Sequence, residues 1–416
     1  ALAQEGAQPA AAAPSASTPP TASQRDGEAA SSTAPAAVAP SAPAAPSAAA
    51  PSAAAPSGPP PVVFGGYVEA FYQWNFERPS NALTNFRAFD NHHDTFTLAN
   101  VAVSTEWDYR NIVGRVALQV GNTPSTYYLA EPSTPGSEAT NASSVELWKF
   151  IQQAYAGYRF AWERELLVTA GVFFSPTGPE SMVTHENWNW SNSNLFLGLP
   201  FYHTGVRATY ELTQRWALTA AGYNGWNSVV DGNDDKSVAL QLTYARPKLS
   251  FAALYFGGAE RPRGAPEGQG FRQMLDLSGG WEALDWLAFK GHLNAGFEPT
   301  EYGVSRWFAG ALYARARIFE PLFFALRGDV FAEHVPSNAA GRASPIFWPV
   351  PWVSSVTATL DFRTTDFLSA KLEYRHDQAA ADMFFGGSVV GDGVTVPFVP
   401  NRSARDTVTV GLTSWF

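Results

Sequence analysis

The clearest structural signal in the chain is "SVALQLTY" (residues 237–244), in which apolar and polar side chains alternate. The apolar set comprises Val238, Leu240, Leu242 and Tyr244, and the polar set comprises Ser237, Gln241 and Thr243. Successive side chains of a β-strand point to opposite faces, so a period of two gives each set a face of its own. The segment therefore predicts a strand with one apolar and one polar face.

The same alternation recurs in "NIVGRVALQV" (111–120), in "SAKLEYRHD" (369–377) and along the rest of the chain after residue 62. About sixteen such segments are present, each close to the ten residues or so that a tilted strand needs to cross a bilayer. They begin near Phe64, Thr95, Asn111, Trp148, Glu165, Phe201, Gln214, Lys236, Lys248, Phe271, Asp285, Arg306, Pro321, Pro351, Asp366 and Ala404.

The connections between these segments alternate in length. Along the chain, short turns such as "RPK" (246–248) and "TTD" (364–366) alternate with long polar loops such as 76–94 and 175–200. This rhythm is typical of a meander with two unlike ends, whereas a sandwich has no reason to keep its short turns on one side. We predict an all-β fold, a transmembrane antiparallel up-and-down β-barrel of about 16 strands.

The width of such a barrel determines which face is buried. Side chains cannot fill so wide a cylinder, so the apolar face must meet lipid and the polar face must line a lumen. Aromatic residues near the strand ends would then form interfacial girdles. We assign to them Tyr72, Trp74, Trp107, Trp148, Tyr158, Phe160, Trp216, Tyr244, Trp281, Trp307, Trp352 and Phe362. A soluble β protein with these rings in its core stays open as the alternative.

Composition excludes several classes of function. The chain has 416 residues, a net charge of −10, no Cys, 14 Trp, 15 Tyr and 29 Phe. The acidic balance argues against a nucleic-acid partner, and the lack of thiols excludes disulfides and thiolate metal sites. No nucleophile motif such as G-x-S-x-G is present, so we predict no enzyme and no cofactor. The segments "HHD" (92–94) and "DGNDD" (231–235) fit exposed loop tips better than metal sites, so we predict no metal.

The first part of the chain has a different character. Residues 1–61 are almost entirely Ala, Pro and Ser, and the recurring Pro breaks any helix that Ala would favour. We predict a disordered Ala/Pro-rich spacer over 1–61 and the outer-membrane barrel over 62–416. Its opening "ALAQ" is similar to the end of a secretory cleavage site, and a periplasmic spacer of this kind could contact the cell wall.

The last segment, "DTVTVGLTSWF" (406–416), places Val408, Val410, Leu412 and Phe416 on one face. It is predicted to be the closing strand of the cylinder. It resembles the C-terminal signature of Gram-negative outer-membrane proteins, although Ser414 departs from that signature. The resemblance implies that Phe416 is an insertion signal read by the barrel-insertion machinery, with the C-terminus in the periplasm.

Several stretches resemble the OmpL-like outer-membrane β-barrel porin family. They are "GGYVEAFYQWNF" (65–76), "NFRAFD" (85–90), "ENWNWSNSNLFLGLPFYHTGVRATYEL" (186–212) and "YNGWN" (223–227). The resemblance implies a water-filled channel in the outer membrane for passive diffusion of small hydrophilic solutes or ions. Porins are often trimers, so a homotrimer is expected on the same ground. A substrate-specific channel and a structural or adhesive barrel tethered by the N-terminal segment stay open.

Projecting each strand on its period gives the side chains expected to line the pore. A charge that faced lipid at the midplane would cost about 2–4 kcal/mol, whereas one in the lumen stays in water. The predicted basic set is Arg115, Lys149, Arg159, Arg207, Lys290, Arg315, Arg317, Arg327, Arg363, Lys371 and Arg375. The predicted acidic set is Glu69, Glu211, Asp276, Asp329, Glu333, Asp361 and Glu373. Mixed charges that merely keep the lumen wet are the alternative to a constriction.

The third long loop, residues 175–200, is the candidate constriction. It carries Glu180, His185, Glu186, Trp188 and Trp190. By resemblance to general porins, this loop would fold into the barrel and set Glu180 and Glu186 against the basic wall of strands twelve to fifteen. Alternatively, it caps the barrel outside, with Trp188 and Trp190 packed on neighbouring loops.

Overall fold

The computed structural model describes residues 61–127, 145–162, 164–233 and 235–416. In these residues sixteen strands form one closed barrel, which confirms the predicted fold class. Residues 1–60 lie outside the described part, and so does the prediction of a disordered spacer. The strands are β1 Val62–Asn75, β2 Thr95–Tyr109, β3 Ile112–Val120, β4 Ile151–Ala161, β5 Glu165–Phe174, β6 Tyr202–Glu211, β7 Trp216–Tyr223, β8 Ser237–Arg246, β9 Leu249–Ala259, β10 Phe271–Leu284, β11 Leu287–Thr300, β12 Gly303–Phe319, β13 Leu322–His334, β14 Trp352–Thr365, β15 Leu368–Ala379 and β16 Ala404–Trp415.

Every strand pairs antiparallel with its neighbours in sequence, and β16 pairs with β1 to close the barrel. The closing register sets Tyr67 opposite Trp415 and Asn75 opposite Thr407. Closure therefore pairs the backbone N–H and C=O groups of the wall across neighbouring strands, apart from local register shifts, as a bilayer requires.

Seven short turns join strands at the end where β1 starts, and longer loops join them at the other end. The connection between β11 and β12 is an exception, since only Glu301 and Tyr302 separate these strands at the long-loop end. The longer loops carry helices α1 Asn122–Tyr127, α2 Val145–Trp148 and α3 Asn194–Leu197, a 3-10 turn Thr184–Glu186, and a small hairpin that pairs Ser337–Asn338 with Gly341–Arg342. Within the described residues, no helix is long and apolar enough to cross a bilayer.

The polarity of the wall is inverted relative to a soluble protein, as predicted. On β16 the apolar Val410 and Leu412 are 53% and 50% exposed on the outer face. Lys371 and Arg375 of β15 point inward and are each 2% exposed. The apolar surface thus faces the lipid, and the charges lie inside the barrel.

The girdle prediction is wrong for Trp307. Its side chain is 4% exposed, and its indole Nε1 donates to Asn294 Oδ1 at 2.7 Å inside the barrel. Trp307 has the same parity on β12 as Ala309 and Tyr313, which are also buried inside. Other predicted girdle rings do face outward, including Tyr158, Trp281, Trp352 and Phe362.

Candidate pore constriction

The loop between β5 and β6, residues 175–201, folds into the lumen, and we call it the constriction loop. Its turns are braced internally, because Asn187 Oδ1 accepts from the Ser181 amide at 2.8 Å and Asn187 Nδ2 donates to the Ser181 carbonyl at 2.7 Å. The Ser193 hydroxyl caps α3 by accepting from the Phe196 amide at 3.2 Å. The loop therefore has a defined conformation of its own.

Carboxylates of the barrel wall accept hydrogen bonds from the backbone amides of the constriction loop. Glu373 accepts from the Trp190 and Ser191 amides at 2.6 and 3.0 Å. The other three such bonds run from the Thr184 amide to Glu69 (2.7 Å), from the Asn194 amide to Asp329 (3.1 Å) and from the Gly178 amide to Asp276 (3.0 Å). These wall acids thus satisfy loop amides that would otherwise be left unpaired in the barrel.

Cations of the wall complete the anchoring by donating to the loop carbonyls. Lys371 Nζ donates to Thr184 O at 2.9 Å and to Asn187 O at 2.6 Å. Similar bonds join Arg375 to Asn192 O (2.5 Å), Arg363 to His185 O (3.2 Å), Lys290 to Pro179 O (3.5 Å) and Arg327 to Ser191 O. A hydrogen bond to a charged group contributes about 1.5–3 kcal/mol. Most of the charges on β11 and β13–β15 therefore hold the loop and do not line open water.

Three of the five predicted loop residues pack against the barrel wall in different ways. Glu180 pairs with Arg327 of β13 at 3.0 Å. Trp188 lies beneath the Lys290 ammonium, 4.7 Å from the ring centroid. Trp190 packs on Gly411 of β16 so closely that a Cβ there would come within 2.1 Å of its ring. A side chain at this position of β16 would thus displace the loop.

Glu186 differs from its neighbours. Within 175–201, all of which the structure describes, Glu186 is the one exposed residue. Its charged neighbours include Arg115 of β3, Lys290 of β11 and Glu69 of β1. Desolvation inside the barrel raises the pKa of the Glu186 carboxyl, against the effect of Ser181, Arg115 and Lys290. Glu186 is therefore the carboxylate that the loop presents to the lumen.

His185 fixes the loop to the last strand. Its ring stacks on Trp415 with centroids 4.5 Å apart and planes at 7°, and it meets the edge of Tyr67 at 5.7 Å. Burial and the nearby Lys371 and Arg363 cations lower the pKa of His185 to about 4. Its Nδ1 is buried without a hydrogen-bond partner among the described residues. His185 is thus a neutral ring near neutral pH.

We expect His185 to make stability depend on pH. Its pKa is about 4 when folded and about 6.5 when unfolded, so its full contribution is present above pH ~6.5 and is lost as the pH falls toward ~4. The variant His185→Phe keeps the stacking ring and cannot titrate. Between pH ~7 and ~4, native protein should lose about 2–3 kcal/mol of unfolding free energy relative to His185→Phe in urea titrations. Parallel pH profiles of the two proteins would contradict this reading.

The wall of β3, β4 and β6 carries three further inward arginines. Arg115 pairs with Glu106, and Arg159 pairs with Glu165 and, at 2.7 Å, with Asp108. Arg207 lies over the Phe173 ring, 3.7 Å from its centroid. These arginines keep partial exposure to the lumen.

The remaining predicted residues lie nearer the ends of the barrel. Arg315 lies over the Phe323 ring at 4.1 Å, Arg317 pairs with Glu320 at 2.9 Å, and Glu211 is the last residue of β6. Asp361 accepts from Ser369 at 2.6 Å, and Glu333 accepts from the amides of Ile346, Phe347 and Trp348. Lys149 precedes β4 and was expected within that strand.

Sequence reasoning missed the aromatic side chains inside the barrel. Phe173, Tyr223, Phe256 and Phe331 are each at most 1% exposed and belong to one buried cluster with Trp188 and Trp348. Their parity is the signal that could have found them, since each shares a strand face with inward polar residues. Sequence analysis also missed the acidic partners Glu106, Asp108 and Glu165, whose parity likewise places them on inward faces.

Comparisons with known proteins support the barrel fold. A family model described as "Putative beta-barrel porin-2, OmpL-like" matches residues 61–397. No curated protein matches the chain significantly. The fold is similar to that of the outer membrane channel DcaP of Acinetobacter baumannii (TM-score 0.53, 12% identity, 86% of this chain and 97% of that chain covered). It is also similar to an anion-selective porin from Comamonas acidovorans (0.55, 10%, 86% and 100%) and to the trimer form of OmpT from Vibrio cholerae (0.52, 9%, 86% and 99%).

Proposed function

This chain belongs to the OmpL-like β-barrel porin family and is an outer-membrane porin, and we propose that small hydrophilic solutes cross it by passive diffusion. The observation that carries the proposal is the partial exposure of the inward arginines of β3, β4 and β6 inside a closed barrel. Together with Glu186, the partly exposed Arg115, Tyr155 and Arg207 would line the passage. Charged groups on both sides favour polar solutes, because such groups stay hydrated in a watery lumen.

Liposome swelling tests the proposal directly. Vesicles that contain the purified protein should swell in isotonic arabinose faster than vesicles that contain heat-unfolded protein, and the rate should fall with increasing sugar size. Swelling no faster than in that control would refute diffusion and favour the structural or adhesive barrel. Flux that saturates with solute concentration would identify a substrate-specific channel.

Orientation and partners are part of the same proposal. We place the short-turn end, the start of β1 and Phe416 in the periplasm, so that residues 1–61 could reach the cell wall there and the C-terminal strand could be read by the insertion machinery. The solved OmpT is a trimer form, and a homotrimer is the assembly we propose here. Since the chain has no Cys, Asp366→Cys gives a single thiol in a short turn. Labelling of that thiol by an impermeant reagent in intact cells would contradict this orientation.

A further inference from the structure

Arg207 of β6 is an inward arginine without an acidic partner. Among the described residues no carboxylate pairs with it, and the phenols of Tyr155 and Tyr223 are its polar neighbours. Its guanidinium lies over Phe173 at 3.7 Å and over Tyr155 at 5.9 Å from the ring centroids. By contrast, Arg159 on β4 has two carboxylate partners. A cation inside a barrel is usually neutralised by the protein, so Arg207 calls for another source of negative charge.

Glycines on the neighbouring strands make room for this arrangement. One row of the sheet runs from Tyr155 through Gly171 and Gly205 to Tyr223. A Cβ on Gly171, whose φ is +141°, would lie 2.7 Å from Tyr155 Cα, and one on Gly205 would lie 2.9 Å from Tyr223 Cα. Two side chains are therefore absent from the row, and Arg207 reaches both tyrosines.

The rings around Arg207 are held in place by stacking. The Tyr223 ring stacks on His203 with centroids 4.4 Å apart, and the Tyr155 ring packs on Phe173 at 5.2 Å. Aromatic contact occupies the flat face of the guanidinium and leaves its edge for hydrogen bonding. Tyr223 is one hydrogen-bond partner at that edge. A guanidinium has five N–H donors, so donors remain for a ligand in the lumen.

A second cation lies next to this group. Arg115 of β3 is directly opposite Tyr155 in the register and shares its charge with Glu106. Tyr155 therefore lies between two guanidinium groups, and its hydroxyl can donate a hydrogen bond to an anion. Planar carboxylates fit the edge of a guanidinium with two parallel hydrogen bonds.

We propose that Arg207, with Tyr155 and Arg115, forms an anion subsite in the lumen that takes small solutes with a carboxylate group. This inference rests on the proposed diffusion channel and adds the class of solute that binds on the way through. The subsite would retain carboxylates briefly and raise their share of the flux.

Channel block by benzoate tests the subsite, with the neutral isostere benzamide as a control. In planar bilayers at low salt, benzoate should reduce the KCl conductance of native protein in a saturable manner, and benzamide should not. Arg207→Gln should raise the half-blocking benzoate concentration at least about tenfold, since it removes charge-assisted hydrogen bonds. Arg159→Gln, which removes a lumen arginine that already has acidic partners, should leave that concentration unchanged.

A conservative variant and a direct binding measurement complete the test of the subsite. Arg207→Lys keeps the charge and loses the planar edge, so its half-blocking concentration should lie between those of native protein and Arg207→Gln. Equal block in native protein and Arg207→Gln, or no block of native protein that does conduct, would overturn the subsite. Calorimetric titration of benzoate into detergent-solubilised protein reports on the subsite even if the barrel conducts nothing. Benzoate binding without conductance would refute diffusion alone, and conductance without benzoate binding would refute the subsite alone.

Discussion

Replacing Arg327 with methionine is expected to lower the free energy of unfolding by about 3–5 kcal/mol and to release the constriction loop. Arg327 is 1% exposed, and it pairs with Glu180 at 3.0 Å and with Asp329 at 3.3 Å. It also donates to the Thr357 hydroxyl at 3.0 Å and to the Ser191 carbonyl. Methionine would leave two buried carboxylates without their cation and the loop without one of its central anchors.

Urea unfolding in lipid vesicles, followed by tryptophan fluorescence, measures this loss. The matched control is Arg317→Met, since Arg317 pairs with Glu320 at a short turn where both side chains are well exposed. An exposed pair contributes about 0–1 kcal/mol, so the control should stay close to native stability. Equal losses in the two variants would show that the buried network does not hold the loop.

Removing residues 186–194 is expected to raise single-channel conductance several-fold. This segment supplies the loop groups that bind Lys371, Arg375 and Glu373, and it carries Trp188 and Trp190 into the lumen. Without it, water and ions occupy that part of the cross-section, and wall charges now bound to the loop meet the solute. Ion selectivity should change together with conductance.

The control is a deletion of similar size outside the lumen. Residues 391–398 form an exposed tip in the loop between β15 and β16, where Val394 is 91% exposed. Their removal should leave single-channel conductance close to that of the native protein, as expected for a surface loop tip. If the 186–194 deletion also leaves conductance and selectivity at native values, the constriction lies elsewhere.

The barrel itself could be predicted from the sequence because the period of two is local. Val238 and Gln241 already show which face of β8 meets lipid, and no distant contact changes that assignment. The same parity also accounts for Trp307, which shares the inward face of β12 with Arg315 and was wrongly placed by its proximity to a strand end. For that residue the signal was present in the sequence.

The fate of each inward charge could not be predicted in this way. Lys371 and Arg207 both lie on polar faces, yet Lys371 binds three loop carbonyls and Arg207 has no acidic partner among the described residues. The difference depends on the path of the constriction loop, which is set by long-range contacts such as that between Glu69 and Thr184. Periodicity shows that a charge enters the lumen, and only the fold shows what it meets there.

The constriction loop contacts both β1 and β16, the two strands whose pairing closes the barrel. His185 touches Tyr67 on the first strand and Trp415 on the last, and Trp190 likewise contacts Phe71 and Gly411. The constriction loop therefore bridges the two strands that close the barrel. Separating these strands would require the contacts of His185 and Trp190 to break first. We therefore expect the pairing of the first and last strands and the docking of the constriction loop to occur together, as one cooperative step late in assembly.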